Sequence, residues 1–556
     1  MVKPRLHGTD GIRGRVDQLL ATAEGWNDEH ALEMLVNRRL LCNRSMRIIG
    51  EATGLHLIEV VGDSPLVLIG WDRRDGNKGL VDALESGLCV TGCRVLRIGE
   101  VPTPGIHHAI HCTAADAGMM VTASHNPAHD SGVKLFDQHG YKSMPDAEDH
   151  ISSLAWMLAD GGLAAPQELG EKLDEIDGLK LYRSGLKMRL DAFESLLGIY
   201  FEEADWNRII PSQGLVLDSS GGAAADWLDE GLTRRGLLAI EVSSRLDPIN
   251  ENCGAGGFSP TDEWSNEELM LNPQEHRLLW TLAQRLEQND GMPPWFEGQL
   301  IGAALDGDGD RCLLIEATSN GVRVVDGDRM CDDFLRAVAL NDKRAWKMAA
   351  SIESDLGLSA DLKRFEANHI SLTTAVGDRW LSQSLSPQQS IGKEIPALIG
   401  TEDSGHLVMA APCPIHDNAW NLVGDGAATL LAALMSRICL AEGEPISAFK
   451  NGWKKRVSIQ PSERQRWTGD NELAQSTQEL AENWCGSKLE RIKVEGESSL
   501  LLLSGEIDDL PISVAIRNSG TEAKTAVSVR FSAGVEANGD ELVQLIVDAL
   551  EPHLKI

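Results

Sequence analysis

Three aspartates at alternate positions, in Asp306-Gly-Asp-Gly-Asp-Arg311, carry the most specific local chemistry in the chain. On an extended loop alternate side chains point the same way, so Asp306, Asp308 and Asp310 converge. The glycines between them permit a tight path. Converging carboxylates are a hard-oxygen site for Mg²⁺ or a similar ion, and like charges so close need a cation beside them. A calcium EF-hand is the rival, but it requires Gly where Arg311 stands and Glu where Ala317 stands. An acidic surface turn is the plain alternative, disfavoured by the apolar strand Leu300-Ile-Gly-Ala-Ala-Leu305 that leads in. A second Asp-Gly-Asp, at Asp326 to Asp328, has only two carboxylates and reads as a turn.

The other reactive stretch is Val121-Thr-Ala-Ser-His-Asn-Pro127. The apolar run Met119-Met-Val121 reads as a short buried strand, and Pro127 forbids an easy continuation. Ser124 therefore sits on a turn at the C-terminal end of a strand, where open α/β sheets bind their ligands. A serine there, followed by His125 and Asn126, is a candidate nucleophile or phosphoryl carrier. An ordinary polar turn has the same composition. Ten residues on, Lys134 can stabilise charge or move a proton, or be a solvated lysine at a strand start. The loop His7-Gly-Thr-Asp-Gly-Ile-Arg-Gly14 brings backbone close to a ligand, with Arg13 as its one cation. In Gly400-Thr-Glu-Asp-Ser-Gly-His406, the alternating Glu402, Ser404 and His406 suit sugar hydroxyls; a polar hairpin turn is the alternative. Arg517-Asn-Ser-Gly-Thr-Glu522 follows the strand Ile512-Ser-Val-Ala-Ile516 and has the composition of a phosphate cradle: Arg517, Ser519, Gly520 and Thr521. Thr373-Thr-Ala-Val-Gly-Asp-Arg-Trp380 reads as a loop with a cation, Arg379.

These loops need elements to hold them. Strand and helix alternate, which predicts a βαβ architecture. A helical stretch runs from Arg15 to about Pro65, then a strand over 65–70, ending in Trp71-Asp-Arg-Arg74. A helix over 80–92, a strand over 93–98 and a helix after Pro104 precede the Ser124 strand. Helices are expected over about 189–200, 425–442 and 540–550, and strands over 214–218 and 527–531. Residues 250–295 read as a loop elaboration carrying one helix, about 275–288. The pair His107 and His111, four apart on a helix, reads as a helix face, since no third metal ligand is in view.

A chain of 556 residues is too long for one core. Boundaries are expected after 165, 299 and 443. No apolar run approaches the ~20 residues that span a membrane, and the first residues lack the apolar core of a signal peptide, so the expected location is the cytoplasm. With 84 acidic against 51 basic residues, a net charge of −33 argues against nucleic acid as a partner. Phosphorylated small molecules remain open to it, because a few local donors suffice. The 10 cysteines are scattered and read as reduced, mostly core thiols.

The motifs at 122–127, 306–311, 402–406 and 517–522, together with the loop at 8–14, resemble in order those of the α-D-phosphohexomutase superfamily. The resemblance implies an α/β fold of four domains around a central cleft: three related mixed α/β domains and a smaller C-terminal α+β domain. It implies an isomerase that interconverts hexose 6-phosphate and hexose 1-phosphate through a phosphorylated Ser124 and a 1,6-bisphosphate intermediate. Mg²⁺ would be held by Asp306, Asp308, Asp310 and an oxygen on Ser124. Arg13, Arg311 and Lys134 would add positive charge, with Lys134, His125 and His406 the candidate proton carriers. Glu402, Ser404 and His406 would bind the sugar, and the 517–521 loop the phosphate that is not reacting. The stretch Ile249-Asn-Glu-Asn-Cys-Gly-Ala255 resembles the glucosamine branch, so glucosamine phosphate is the expected substrate; mannose or glucose phosphate is the runner-up. A non-catalytic sugar-phosphate sensor, or a phosphatase acting through phosphoserine, is the alternative of a different class. Departures from the pattern are Ser131 for the usual Asn, Ala523 for Pro, Ala526 for Arg and the Gly-Thr start of the sugar loop. Lys524 and Arg530 are the candidates to compensate at the phosphate loop. The length implies insertions near 15–65 and 250–295.

Overall fold

The computed structural model describes residues 3–17, 27–163, 169–271, 274–385, 390–441, 443, 446–519 and 523–556. The chain divides into two units. The first comprises residues 1–342, 387–396 and 404–444, and the second 343–386, 397–403 and 445–556.

In the first unit, one six-stranded sheet is built from the N-terminal part of the chain. Its order is Leu40–Leu41, Ile12–Val16, Asp130–Asp137, Ala117–Val121, Leu66–Trp71 and Arg94–Glu100. The strands Leu66–Trp71, Arg94–Glu100 and Ala117–Val121 run parallel, while Asp130–Asp137 is antiparallel to both its neighbours. The apolar runs read from the sequence are buried on both faces: Val67, Leu68, Ile69, Met119, Met120 and Val121 have almost no exposed surface. That is the pattern of strands covered by helices on both sides. The helical stretch expected from Arg15 to about Pro65 holds two helices, Asp28–Arg38 and Asn43–Val61, with the strand Ile12–Val16 at its start and the short strand Leu40–Leu41 between them. The chain turns between the helices because Arg39 takes a left-handed conformation, φ 54°, and Leu40–Leu41 then pairs with Arg15 and Val16.

The second sheet of this unit repeats the plan. Its order is Ala239–Glu241, Leu215–Asp218, Leu300–Leu305, Cys312–Thr318, Gly321–Val325 and Glu263–Ser265, the first three parallel and the rest antiparallel. Leu300–Leu305 hydrogen-bonds to Leu215–Asp218, so the expected boundary at 299/300 is corrected: it would cut one sheet in two. The expected boundary at 165/166 lies outside the described residues. Residues 250–295 are not an appended elaboration either. They contribute the edge strand Glu263–Ser265 and the helices Asn266–Leu271 and Arg277–Glu287. Leu278, Leu279, Leu282 and Leu286 lie on one face of the latter at helical spacing and join the buried cluster with Val216, Ile301 and Ile315. Asp326 is no turn residue: its side chain accepts from Arg329 N and caps the helix Gly327–Asn341. Beyond these sheets the first unit holds the hairpin Leu407–Pro412 and Ala419–Gly424, with Ser390–Ile391 beside the latter.

The second unit contains a parallel trio, Ile370–Thr374, Lys347–Ser351 and Leu398–Thr401, and an antiparallel sheet in the order Trp453–Ile459, Thr525–Phe531, Leu510–Asn518, Leu501–Ile507, Glu490–Ile492. Val514, Ile516, Val527 and Val529 alternate inward from this sheet and bury against Leu542, Ile546 and Leu550 of the C-terminal helix. Arg379 opens the helix Asp378–Leu385 rather than a loop. No helix among the described residues is long and apolar enough to cross a membrane. All ten cysteines are free thiols.

Two features give measurable consequences. Gly132 pairs with Arg13 where the strands of residues 12–16 and 130–137 run side by side, and an added Cβ would overlap the Ile12 carbonyl oxygen. Gly132→Ala is therefore expected to destabilise the first unit by about 3 kcal/mol, read as a lowered urea midpoint. A midpoint equal to wild type would contradict the close approach. His108 and His111 are held neutral: burial, then the neighbouring His111 for the one, outweighs protonation, and both are pushed down to about 4. Unfolding restores a value near 6.5, so below that pH the unfolded chain binds more protons. Stability contributed by these neutral imidazoles is present above about pH 6.5 and is lost as pH falls toward about 4. The double variant His108→Gln/His111→Gln is expected to show a shallower fall of the urea midpoint across that window than wild type.

Candidate active site

Ser124 follows the buried strand Ala117–Val121 and has no exposed surface. Its backbone is left-handed, φ 54°, a conformation that costs a non-glycine residue free energy and persists only where surroundings impose it. The N–H of Ser124 donates to Thr122 Oγ1 at 2.8 Å, and Thr122 Oγ1 donates to Asp72 Oδ2 at 2.6 Å. The strained turn aims Ser124 Oγ at the aspartate loop, where it donates to Asp306 Oδ2 at 2.7 Å.

The aspartate loop leaves the second sheet after Leu305. Asp306, Asp308 and Asp310 are buried, and a ligand oxygen of each lies within 4.8 Å of the others. Gly307 is required by the approach itself: a Cβ there would stand 2.8 Å from the Ser124 carbonyl oxygen. Asp308 Oδ2 accepts from Thr103 Oγ1 at 2.5 Å and from Lys134 Nζ at 2.8 Å. Lys134 Nζ also lies 3.1 Å from Asp310 Oδ2 and 3.2 Å from Asp10 Oδ2. Lys142 Nζ joins them, 3.1 Å from Asp10 Oδ1 and 3.4 Å from Asp310 Oδ2.

Charge in this cluster follows position. Asp306 is pushed up to about 7, by burial first and then by the carboxylates of Asp310 and Asp308. Burial also opposes ionisation of Asp310, but His406, Lys134 and Lys142 outweigh it and hold the carboxyl well below the usual range. At Lys134 burial disfavours the ammonium, while Asp10, Asp308 and Asp310 more than offset it, so the lysine is firmly protonated. His125 is pushed down to about 2, chiefly by the Arg311 guanidinium and then by burial; it is a neutral imidazole.

Arg13 donates to Asp10 Oδ2 at 2.6 Å and to Asn126 Oδ1 at 3.0 Å, so it braces the serine loop. Arg311 Nε stands 3.8 Å from Asp306 Oδ2. His406 Nε2 lies 3.0 Å from Asp310 Oδ1. The first unit thus brings together Ser124, His125, Lys134, Arg13, Arg311, the three loop aspartates and His406. Ser404 is in the same unit, half-buried.

Glu402, Arg517 and Ser519 belong to the second unit. Glu402 Oε1 accepts from Gly377 N at 2.6 Å. Arg517 is paired with Glu353 at 3.1 Å and Glu497 at 3.6 Å. The Ser519 carbonyl accepts from Arg464 at 2.6 Å. Gly520 and Thr521 lie outside the described residues. The Arg530 guanidinium donates to Ser354 O at 2.7 Å and Ser513 Oγ at 2.9 Å. Ser131, in place of the expected Asn, uses its hydroxyl to donate to Asn77 Oδ1 at 2.5 Å.

Asp10, Lys142, Thr103, Asp72 and Arg74 were not singled out as site residues by the sequence, and Asn250 was noted only within the stretch 249–255, as a mark of the substrate branch. Two of the others carried a usable signal: Asp10 shares the glycine loop with Arg13, and Asp72 follows a buried strand just as Ser124 does.

The carboxylate triad fits a divalent cation. Three hard oxygens converge, and among the described residues no hydrogen-bond donor reaches the buried Asp308 Oδ1. An oxygen buried so is costly unless something meets it. Asp308→Asn is expected to weaken Mg²⁺ dependence of any activity by about 100-fold or more, read by titrating activity and Mn²⁺ binding against metal concentration. Unchanged metal titrations would remove the triad as a cation site.

Comparisons with known proteins find relatives over most of the chain. Residues 32–158 match the family model of phosphoglucomutase/phosphomannomutase, alpha/beta/alpha domain I. A phosphoglucosamine mutase from Jannaschia sp. is 30% identical over 408 residues, 73% of this chain and 74% of the relative. One from Clostridium botulinum is 25% identical over 532 residues, 92% of this chain and 98% of the relative. Among solved structures, a phosphoglucomutase/phosphomannomutase family protein from Burkholderia thailandensis superposes with TM-score 0.62 at 19% identity, over 99% of this chain and 98% of that one. The phosphoglucomutase pp63/parafusin from Paramecium, in its open form, gives TM-score 0.59 at 15% identity, over 99% and 95%.

Proposed function

Since the chain belongs to the α-D-phosphohexomutase family, we propose that it interconverts glucosamine 6-phosphate and glucosamine 1-phosphate, with Ser124 as the phosphoryl carrier. The observation that carries the reading is the Ser124 hydroxyl, 2.7 Å from Asp306 Oδ2 at the edge of a buried carboxylate triad. The glucosamine assignment is supported by relatives named phosphoglucosamine mutase that align over most of both chains.

In the resting enzyme Ser124 Oγ carries the phosphoryl group. The free hydroxyl of a hexose monophosphate attacks phosphorus, the bond to Ser124 Oγ breaks, and a 1,6-bisphosphate forms. The hydroxyl loses its proton and the departing serine oxygen gains one. After the intermediate turns over, Ser124 Oγ attacks the other phosphate and the monophosphate isomer leaves, so no phosphate is lost. Asp306, Asp308 and Asp310, with the Ser124 oxygen, would hold Mg²⁺. The ion supplies neutralisation of charge on the transferring group.

This chain's own residues do the rest. Lys134, held as an ammonium beside Asp308 and Asp310, adds fixed positive charge and is the candidate proton carrier at the triad. Arg13, bracing the serine loop, and Arg311, beside Asp306, add charge without exchanging protons. His406, against Asp310, orients that carboxylate. Glu402, Ser404 and His406 take the sugar-hydroxyl role that their motif carries, and Arg517, Ser519, Gly520 and Thr521 the role of holding the second phosphate. These reactions use a soluble metabolite, and we place the protein in the cytoplasm.

The test is a mutase assay with Mg²⁺ and a trace of hexose 1,6-bisphosphate, run in parallel on glucosamine, mannose and glucose phosphates. Turnover is expected to favour glucosamine phosphate and to fall below about a thousandth of wild type in Ser124→Ala. Preference for mannose or glucose phosphate would overturn the substrate and retain the chemistry. Net release of inorganic phosphate would make the protein a phosphatase. Binding of hexose phosphates without turnover would make it a sensor.

A further inference from the structure

The left-handed turn at Ser124 has to be imposed by something, and the structure shows what imposes it. Behind the turn lies an ion pair with no exposed surface, Arg74 Nε to Asp72 Oδ2 at 3.0 Å. The Arg74 guanidinium then donates to four main-chain carbonyls of the serine loop. These are Ser124 O at 2.6 Å, Pro127 O at 2.5 Å, Asp130 O at 2.9 Å and Asn126 O at 3.0 Å. Asn250, reaching from the loops of the second sheet, donates through Nδ2 to Ser124 O at 2.8 Å and Asn126 O at 2.9 Å. On the other side Asp72 takes the Thr122 hydroxyl, whose oxygen accepts the Ser124 N–H. Both main-chain polar groups of Ser124 are therefore fixed, its carbonyl by two side chains and its N–H through a relay.

The neighbouring arginine shows that this is specific to residue 74. Arg73 turns the other way and donates to Gly221 O at 2.6 Å and Asp247 O at 2.7 Å. None of these groups touches Ser124 Oγ, the aspartate triad or a proton in transfer. Arg74 and Asn250 act on the main chain of Ser124 and the residues that follow it.

We propose that Arg74, backed by Asp72 and assisted by Asn250, is a positioning residue that clamps the left-handed Ser124 turn and so sets the direction from which its oxygen meets phosphorus and the triad. The inference rests on the mutase reading. A rigid guanidinium fork suits the task, because one planar group satisfies several carbonyls at once. Lysine retains the charge opposite Asp72 but offers a compact ammonium that cannot span four acceptors.

The expected result is a loss of rate per phosphorylated enzyme without a loss of substrate binding. In Arg74→Lys, kcat normalised to the Ser124 phosphate content measured by intact mass falls about 100-fold, while KM for the hexose phosphate stays within about twofold. Asn250→Asp, which keeps a residue tolerant of the local φ of 60° but removes both donors, falls about 10-fold in the same way. Thr122→Val cuts the relay to the Ser124 N–H and falls with them, and Thr122→Ser, which keeps the hydroxyl, recovers most of the rate.

A normalised kcat equal to wild type in Arg74→Lys and Asn250→Asp overturns the proposal. So does a loss matched by the unfolded fraction seen in circular dichroism, or a loss confined to KM. Should Arg74→Lys not fold, Asn250→Asp and the Thr122 pair decide, since they leave the buried ion pair intact. The wild-type arm separates the two readings. A wild-type protein that neither turns over hexose phosphates nor accepts phosphate on Ser124 from hexose 1,6-bisphosphate overturns the mutase function and this inference with it. An active wild type with unaffected variants overturns the clamp alone.

Discussion

Carboxylates buried beside one another demand positive charge, and the centre of the first unit is arranged to meet that demand. Asp306, Asp308 and Asp310 have almost no exposed surface, and Asp10 adds a fourth acid at the same lysines. Lys134 and Lys142 answer them. A buried ion pair contributes little net stability but is costly to break, so these groups fix one arrangement rather than strengthen the fold. The lysine uses Asp308 Oδ2 and Asp310 Oδ2, while Asp308 Oδ1 keeps a free edge. The lysine thus takes one oxygen of Asp308 and leaves the other unmet by any donor among the described residues.

The elements around the cluster follow from that constraint. Two sheets of like plan end their parallel strands at loops that must meet, one bearing Ser124 and the other the aspartates. Gly307 is small because the Ser124 carbonyl lies against it. Arg73 and Arg74, consecutive in the chain, divide the work of holding the two sets of loops. Backbone strain at Ser124 is tolerated because its own carbonyl and N–H are both tied down.

What could be read from sequence was what is local. Buried strands announce themselves as short apolar runs, so the strand before Ser124 and the strand before Asp306 were both legible. The alternation of aspartates made their convergence readable without any partner in view. Contacts that close over long chain distances left no periodic signal. Asn250 meets Ser124 across 126 residues, and Thr103 meets Asp308 across 205; the stretch 249–255 drew notice as a family mark, but nothing in it pointed to Ser124. The same cause explains the misread segment 250–295. Its helix packs under a sheet whose adjacent strands, Leu215–Asp218 and Leu300–Leu305, are far apart in the chain, so it resembled an insertion. The three histidines after Pro104 show the limit of residue type as evidence. Their rings are packed and neutral, with His107 Nδ1 at 2.9 Å from Gly140 O and His111 Nε2 at 3.1 Å from His139 O.

The chain passes between its two units at residues 342/343, 386/387, 396/397, 403/404 and 444/445. This interleaving governs the order in which the protein is made. A growing chain folds its N-terminal portions first, and every segment of the first unit has been synthesised once residue 444 is in place. The parallel trio of the second unit, carried by residues 343–386 and 397–403, has by then been made as well. Its unit is finished only by the sheet and helix that follow residue 445. No single cut of the gene yields the second unit as one continuous polypeptide, so its folding is tied to translation of the whole.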